Sequence, residues 1–157
     1  MFKSVAILLL NIYKNVLDIQ INENDFFKGS LIQNFSIDSL IALQLIVEIE
    51  KNFNLIIEDD ELAIKIIDSP FNFFKHYQRY KLKNIYESVL NMKIAESEIV
   101  KENLIEKMNI DNQNVSIIIE EIEKCFKIKI NDAINTADIV DFPLSFLNTF
   151  QEVSIIC

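Results

Sequence analysis

Shifted by 73 residues, the chain lies over itself. Every pair from Leu9/Leu82 to Gln78/Gln151 aligns without a gap, and 26 of these 70 pairs are identical. A composition this rich in Ile, Asn and Lys gives roughly a tenth by chance. The two prolines, Pro70 and Pro143, fall into register, as do Asp38 with Asp111, Phe53 with Phe126, and the run NIY at Asn11–Tyr13 with its copy at Asn84–Tyr86. One way of burying apolar surface has therefore been used twice, and 157 residues suffice for two small units. The sequence divides into domains 1–79 and 80–157.

Each unit reads as helices. One glycine and two prolines leave too few turn formers for the many tight turns of a β fold. In the first unit Val5, Leu9, Ile12 and Val16 recur on one helix face, predicting a helix over Phe2–Asp18. A long connection through Gly29 leads to Phe35. A second helix follows from about Ser39 to Asn52, with Ala42, Leu45, Ile46, Ile49 and Phe53 at the 3.6-residue period. The acids of EDDEL, Glu58–Leu62, cap a short third helix. Pro70 belongs in the first turn of a fourth, where a missing N–H costs little. The second unit repeats this scheme, with Val115, Ile118, Ile119, Ile122 and Phe126 as its core stripe. The fold class is all-α, two tandem four-helix bundles. The junction YQRYKLKNIY, Tyr77–Tyr86, has no Gly, Pro or Ser, so the fourth helix is expected to run on into the first helix of the next unit.

Charge and motif content remove several functions. The net charge is −9, shared by the halves, which disfavours nucleic acid and anionic membranes as partners. No stretch approaches the ~20 apolar residues of a membrane span. The apolar run Val5–Leu10 is too short for a signal peptide and has no small-residue cleavage site after it. Cys125 and Cys157 make no disulfide framework, and a reducing cytoplasm is the expected location. The chain is read as no enzyme, with neither catalytic residues nor a metal site: beyond the single histidine, His76, it shows no ligand cluster, no glycine-rich phosphate loop and no paired-Cys spacing.

The stretch FSIDSLIALQLIVEIEKNFNLIIEDDEL, with its Asp-Ser-Leu at the start of a long helix in an acidic unit of about 75 residues, resembles the acyl carrier proteins. The resemblance covers the whole chain, once per unit. It implies that Ser39 is the attachment point of a covalent 4′-phosphopantetheine, transferred from coenzyme A by a phosphopantetheinyl transferase. The arm's thiol would carry acyl groups between acyl-loading and acyl-using synthase enzymes. It also implies that Asp38 helps the transferase hold magnesium. Elementary physics agrees with the placement. Asp38 is a natural N-cap, and a phosphodiester at a helix N-terminus is expected to meet free backbone N–H groups and the positive end of the dipole.

In the second unit the shift sends Ser39 to Asn112, within NIDNQNV. An amide cannot accept the group, and Ser116 stands one turn too far along the helix. The chain is therefore expected to carry one arm, with the second unit a carrier-like domain for docking or stability.

Two departures from the family pattern matter. Ser36 stands where such proteins usually have glycine, and can adopt the same turn at a small cost. The first turns of the helix present Leu40, Ile41, Leu43 and Gln44, apolar or neutral where carriers of fatty-acid synthesis display carboxylates; the face continues through Val47 and Glu48, and Glu48 and Glu50 remain as acids with Lys51 interrupting the run. This face is read as the partner-docking surface, relying more on apolar contact than on charge steering, with burial against the second unit as the competing explanation. The neutral face leans toward a specialised lipid, polyketide-like or aminoacyl pathway. The alternative keeps the fold without the arm, as an unmodified helical module for interaction or dimerisation.

Overall fold

The computed structural model describes residues 2–101, 103–130 and 135–155, with side chains between 3 and 149 in those ranges. Every regular element among the described residues is a helix. Contacts divide the chain into two compact units with a boundary between Tyr77 and Gln78.

In the first unit α1 (Phe2–Leu17) carries the stripe that the sequence places there, with Val5, Leu9 and Ile12 buried and Val16 half-buried. The long connection is not structureless. It contains two single-turn helices, α2 (Glu23–Phe26) and α3 (Leu31–Asn34), capped by the side chains of Asn22 and Ser30. Four residues are too few for the 3.6-residue period to show, so neither turn is visible as a pattern. What secures them is Phe26 and Leu31, both fully buried. Gly29 turns the chain between them at φ 67°, in the left-handed region that a side chain strains.

The next helix, α4 (Ser39–Phe53), buries Leu45, Ile49 and Phe53; Ala42 and Ile46 lie half-buried at the margins of the stripe. It ends at Asn54 in a left-handed conformation, φ 48°, one of the few residue types that tolerates it. α5 (Asp60–Asp68) starts at the predicted acids, with Asp59 accepting from the Leu62 N–H. α6 (Pro70–Leu90) then runs unbroken through the junction stretch, as the lack of Gly, Pro and Ser there leads one to expect.

Aromatic rings fill the first core. Tyr13 meets Phe26 edge-on at 5.1 Å, and Phe53 packs on Phe73 at 4.7 Å between ring centres. Each such pair adds about 0.5–1.5 kcal/mol beyond area burial.

The second unit is built from the later turns of α6, then α7 (Glu96–Ile99), α8 (Leu104–Met108), α9 (Asn112–Phe126), α10 (Thr136–Asp141) and α11 (Pro143–Ile155). Its core holds Leu82, Tyr86, Leu104, Ile118, Ile122 and Phe126, all fully buried. Where the first unit uses Phe26 and Phe74, this one has Ile99 and Leu147.

The polar fastenings repeat as faithfully as the core. Tyr13 donates its hydroxyl to the Ile67 carbonyl and Tyr86 to that of Val140, each at 2.6 Å. Asp68 accepts from the Ile32 N–H at 3.1 Å, and Asp141 from the Ile105 N–H at 2.7 Å. Glu50 and Glu123 each reach seven residues on, accepting from the N–H of Ile57 and Ile130 at 2.7 Å. All six residues lie 73 positions from their twins. Burial pushes both tyrosine hydroxyls far above the usual phenol range, and Asp68 and Asp141 push the same way.

Cys125 is half-buried and free, and burial raises its thiol pKa. Cys157 lies outside the described residues. No described helix is long and apolar enough to cross a membrane.

Candidate functional site

The N-terminus of α4 is built from a tight turn. Ser36 adopts φ 51°, the left-handed conformation for which glycine is the usual choice; its counterpart Asn109 takes the same value. Ile37 is buried and anchors the strand of chain between that turn and the helix. Asp38 is the N-cap, in extended backbone at φ −85°, and its Oδ1 accepts from the N–H of Leu40 at 3.0 Å and of Ile41 at 2.9 Å.

Ser39 is the first helical residue, and it is exposed. It is therefore not sealed among packed side chains. One detail of the sequence reading is corrected. The N–H groups of Leu40 and Ile41 do not face solvent free to bind a phosphate, because the Asp38 carboxylate already occupies both. What this terminus offers an anion is the positive end of a 15-residue helix, partly offset by the Asp38 charge.

Beyond the serine, the face assigned to docking is open. Leu40, Leu43 and Val47 are 64, 61 and 51 % exposed. Gln44 is exposed, while Ile41 and Glu48 are half-buried. Glu48 is held from two sides: Asn52 donates to its carboxylate at 3.1 Å and to its backbone carbonyl at 2.8 Å, and Lys51 lies 4.0 Å away. Sequence reasoning missed a groove of about 580 Å³ between α1 and α4, in which Leu43, Gln44, Val47 and Glu48 face Leu8, Asn11 and Asn15. The signal was present in Leu8, an apolar residue on the polar side of the α1 stripe and 37 % exposed.

The equivalent terminus in the second unit keeps its architecture. Asp111 caps α9, accepting from the Asn114 N–H at 2.8 Å. Asn112 replaces the serine. Ser116 donates its hydroxyl back to the Asn112 carbonyl at 3.2 Å, one turn into the helix.

No family model, curated protein or solved structure matches the chain. Among the described residues no group of three or more His, Cys, Asp or Glu side chains is placed to hold a metal ion. His76 is buried on α6, whereas Ser39 is exposed on α4.

Proposed function

We propose that the chain is a tandem acyl carrier protein, two four-helix carrier-like bundles of which only the first bears a 4′-phosphopantetheine arm. The observation that carries this reading is an exposed serine at the first position of a capped 15-residue helix, in one unit and not in its twin. The residues present fit the group. Ser39 offers an unobstructed hydroxyl, the helix dipole favours the phosphodiester charge, and Asp38 fixes the turn that presents the serine. Asp38 is also positioned beside the hydroxyl in sequence to help a transferase hold magnesium.

Attachment is the work of a phosphopantetheinyl transferase. The Ser39 oxygen bonds to the pantetheine-side phosphorus of coenzyme A as the phosphoanhydride P–O bond breaks. Adenosine 3′,5′-bisphosphate leaves, and the transferase takes the hydroxyl proton. The bound arm supplies a terminal thiol on which an acyl group rides as a thioester. Leu40, Leu43 and Val47 then meet the loading and using enzymes through apolar contact, in a specialised lipid, polyketide-like or aminoacyl pathway in the cytoplasm.

Intact mass after incubation with coenzyme A, magnesium and a broad-specificity transferase tests this. One added arm, absent in Ser39→Ala, is expected; no added mass overturns the reading, and two arms overturn the assignment of Asn112. A second reading draws on the exposed Leu40–Leu43–Val47 stripe: an unmodified helical module that binds a protein through that face. It predicts partner binding that is indifferent to Ser39→Ala but lost in Leu43→Ser.

A further inference from the structure

The net charge conceals an uneven distribution. Between Asp68 and Glu87 the chain has four cations, Lys75, Arg79, Lys81 and Lys83, and no Asp or Glu. The whole chain has 15 Lys and Arg against 24 Asp and Glu; without these four it has 11 against 24, a charge of −13. All four lie on α6, and Lys75, Arg79 and Lys83 recur at every fourth residue. They therefore share one face of the helix, in steps of about 6 Å over about 12 Å.

The fold does not ask for this stripe. Like charges at i and i+4 destabilise a helix. At the shift of 73, Lys75 and Arg79 become Asn148 and Glu152 on α11, and Lys83 corresponds to Leu10 on α1. Nor is the charge neutralised in place. Lys83 lies 4.0 Å from Glu87, but that carboxylate also accepts from the Ile94 N–H and lies 3.9 Å from Lys93. Among the described residues Lys75 and Arg79 make no ion pair and no side-chain hydrogen bond. Lys75 is exposed and Arg79 half-buried. The planar fork of Arg79, suited to a carboxylate, is uncommitted.

Shape and charge together narrow the partner. Small phosphate ligands are held by donors converging in a concave pocket, whereas these three stand in a line on a convex helix. A nucleic-acid duplex or an anionic bilayer presents a charged surface longer than the stripe. Screening acts over about 8 Å at physiological salt. Past the ends of the stripe such a surface therefore meets the rest of the chain, at −13. A short segment with carboxylates at the same step avoids that repulsion. An α-helix with Asp or Glu at i, i+4 and i+8 has this step of about 6 Å. Arginine is also among the side chains that dominate protein interfaces.

We propose that the Lys75–Arg79–Lys83 face of α6 docks an acidic helix of a partner protein, by charge pairing in register. This goes beyond the carrier reading and does not need the arm.

The test uses the unmodified full chain and two fluorescent alanine-based helical peptides of equal composition. One carries glutamates at i, i+4 and i+8; the other has them spread around the helix. Fluorescence anisotropy is expected to show the striped peptide binding about tenfold tighter, as for a few surface ion pairs acting together. Arg79→Glu and, at an exposed position, Lys75→Glu are each expected to remove that preference, and circular dichroism checks that both variants fold. Equal binding of the two peptides, or a preference that survives both variants, overturns the proposal. So does tighter binding to inorganic polyphosphate, or to vesicles of phosphatidylcholine and phosphatidylglycerol, than to the striped peptide. Those results would assign the stripe to a linear phosphate or to a lipid surface.

Discussion

The two units are a controlled comparison within one chain. They agree in the polar fastenings of the fold: the tyrosine–carbonyl bonds, the aspartates that pin α3 and α8, the glutamates that catch the chain after α4 and α9, and the N-caps Asp38 and Asp111. They part where a residue faces water on the leading turns of α4 and α9. There Ser39, Leu40, Leu43 and Val47 stand against Asn112, Gln113, Ser116 and Glu120. Buried exchanges such as Phe26 for Ile99 and Phe74 for Leu147 keep an apolar side chain, whereas these exposed ones change its chemistry.

The largest expected effect comes from trying to erase that difference with one atom group. Ser39→Ala is expected to abolish arm addition. Adding Asn112→Ser to Ser39→Ala restores a hydroxyl at the corresponding position of α9 without restoring the apolar face. Intact mass is expected to stay unchanged, because Gln113, Ser116 and Glu120 replace the apolar Leu40, Leu43 and Val47 and leave Ile117 as the exposed apolar residue of those turns. Should the double variant gain an arm, the hydroxyl alone separated the units and the flanking apolar residues play no part in recognition.

Next in size are the buried tyrosines, where the units are expected to behave alike. Tyr13→Phe and Tyr86→Phe each strand a carbonyl, of Ile67 or Val140, that accepts a buried hydrogen bond at 2.6 Å. Each is expected to cost about 1–3 kcal/mol in urea unfolding. The same pair sets an alkaline limit. The folded state holds both hydroxyls protonated well above the usual phenol value, whereas an unfolded tyrosine loses its proton near pH ~10. The stabilisation is therefore complete below pH ~10 and is lost as pH rises beyond it, by about 1.4 kcal/mol per pH unit for each tyrosine. Either Phe variant should flatten the alkaline limb of a stability–pH curve. A limb unchanged by both would mean that the hydroxyls ionise in place.

Legibility followed the same division. Long helices announce themselves by period, so α1, α4, α5 and α6 fall close to where the apolar spacing, the acid cap and Pro70 put them. The shift of 73 then transfers that reading to the second unit. Ser39 and Asp38 are local features, readable because a cap and the residue after it are neighbours in sequence. Leu8 stood out as an apolar residue off the α1 stripe, but its partner across the groove was not readable, since Leu8 and Leu43 lie on different helices and only the packing brings them to one surface. Nor was the occupation of the Leu40 and Ile41 N–H groups, which depends on the rotamer that Asp38 adopts. The single turns α2 and α3 escaped for want of length, being held by burial of Phe26 and Leu31 rather than by any periodicity.

The finest contrast lies in the caps themselves. Asp38 accepts from two backbone N–H groups, at 3.0 and 2.9 Å, and Asp111 from one, at 2.8 Å. Capping substitutions of this kind cost about 1 kcal/mol, so Asp38→Ala and Asp111→Ala are both expected to be mild in thermal unfolding, the first slightly the worse. The instructive measurement is arm addition in Asp38→Asn. An Asn side-chain oxygen can still cap the helix with little loss of stability, but it carries no charge for magnesium. If Asp38 served the helix alone, the Asn variant would be modified as fast as the unaltered chain. Modification slowed at full stability assigns the carboxylate a second duty at the transferase, and gives a reason for the aspartate in the first unit that the cap of its twin does not share.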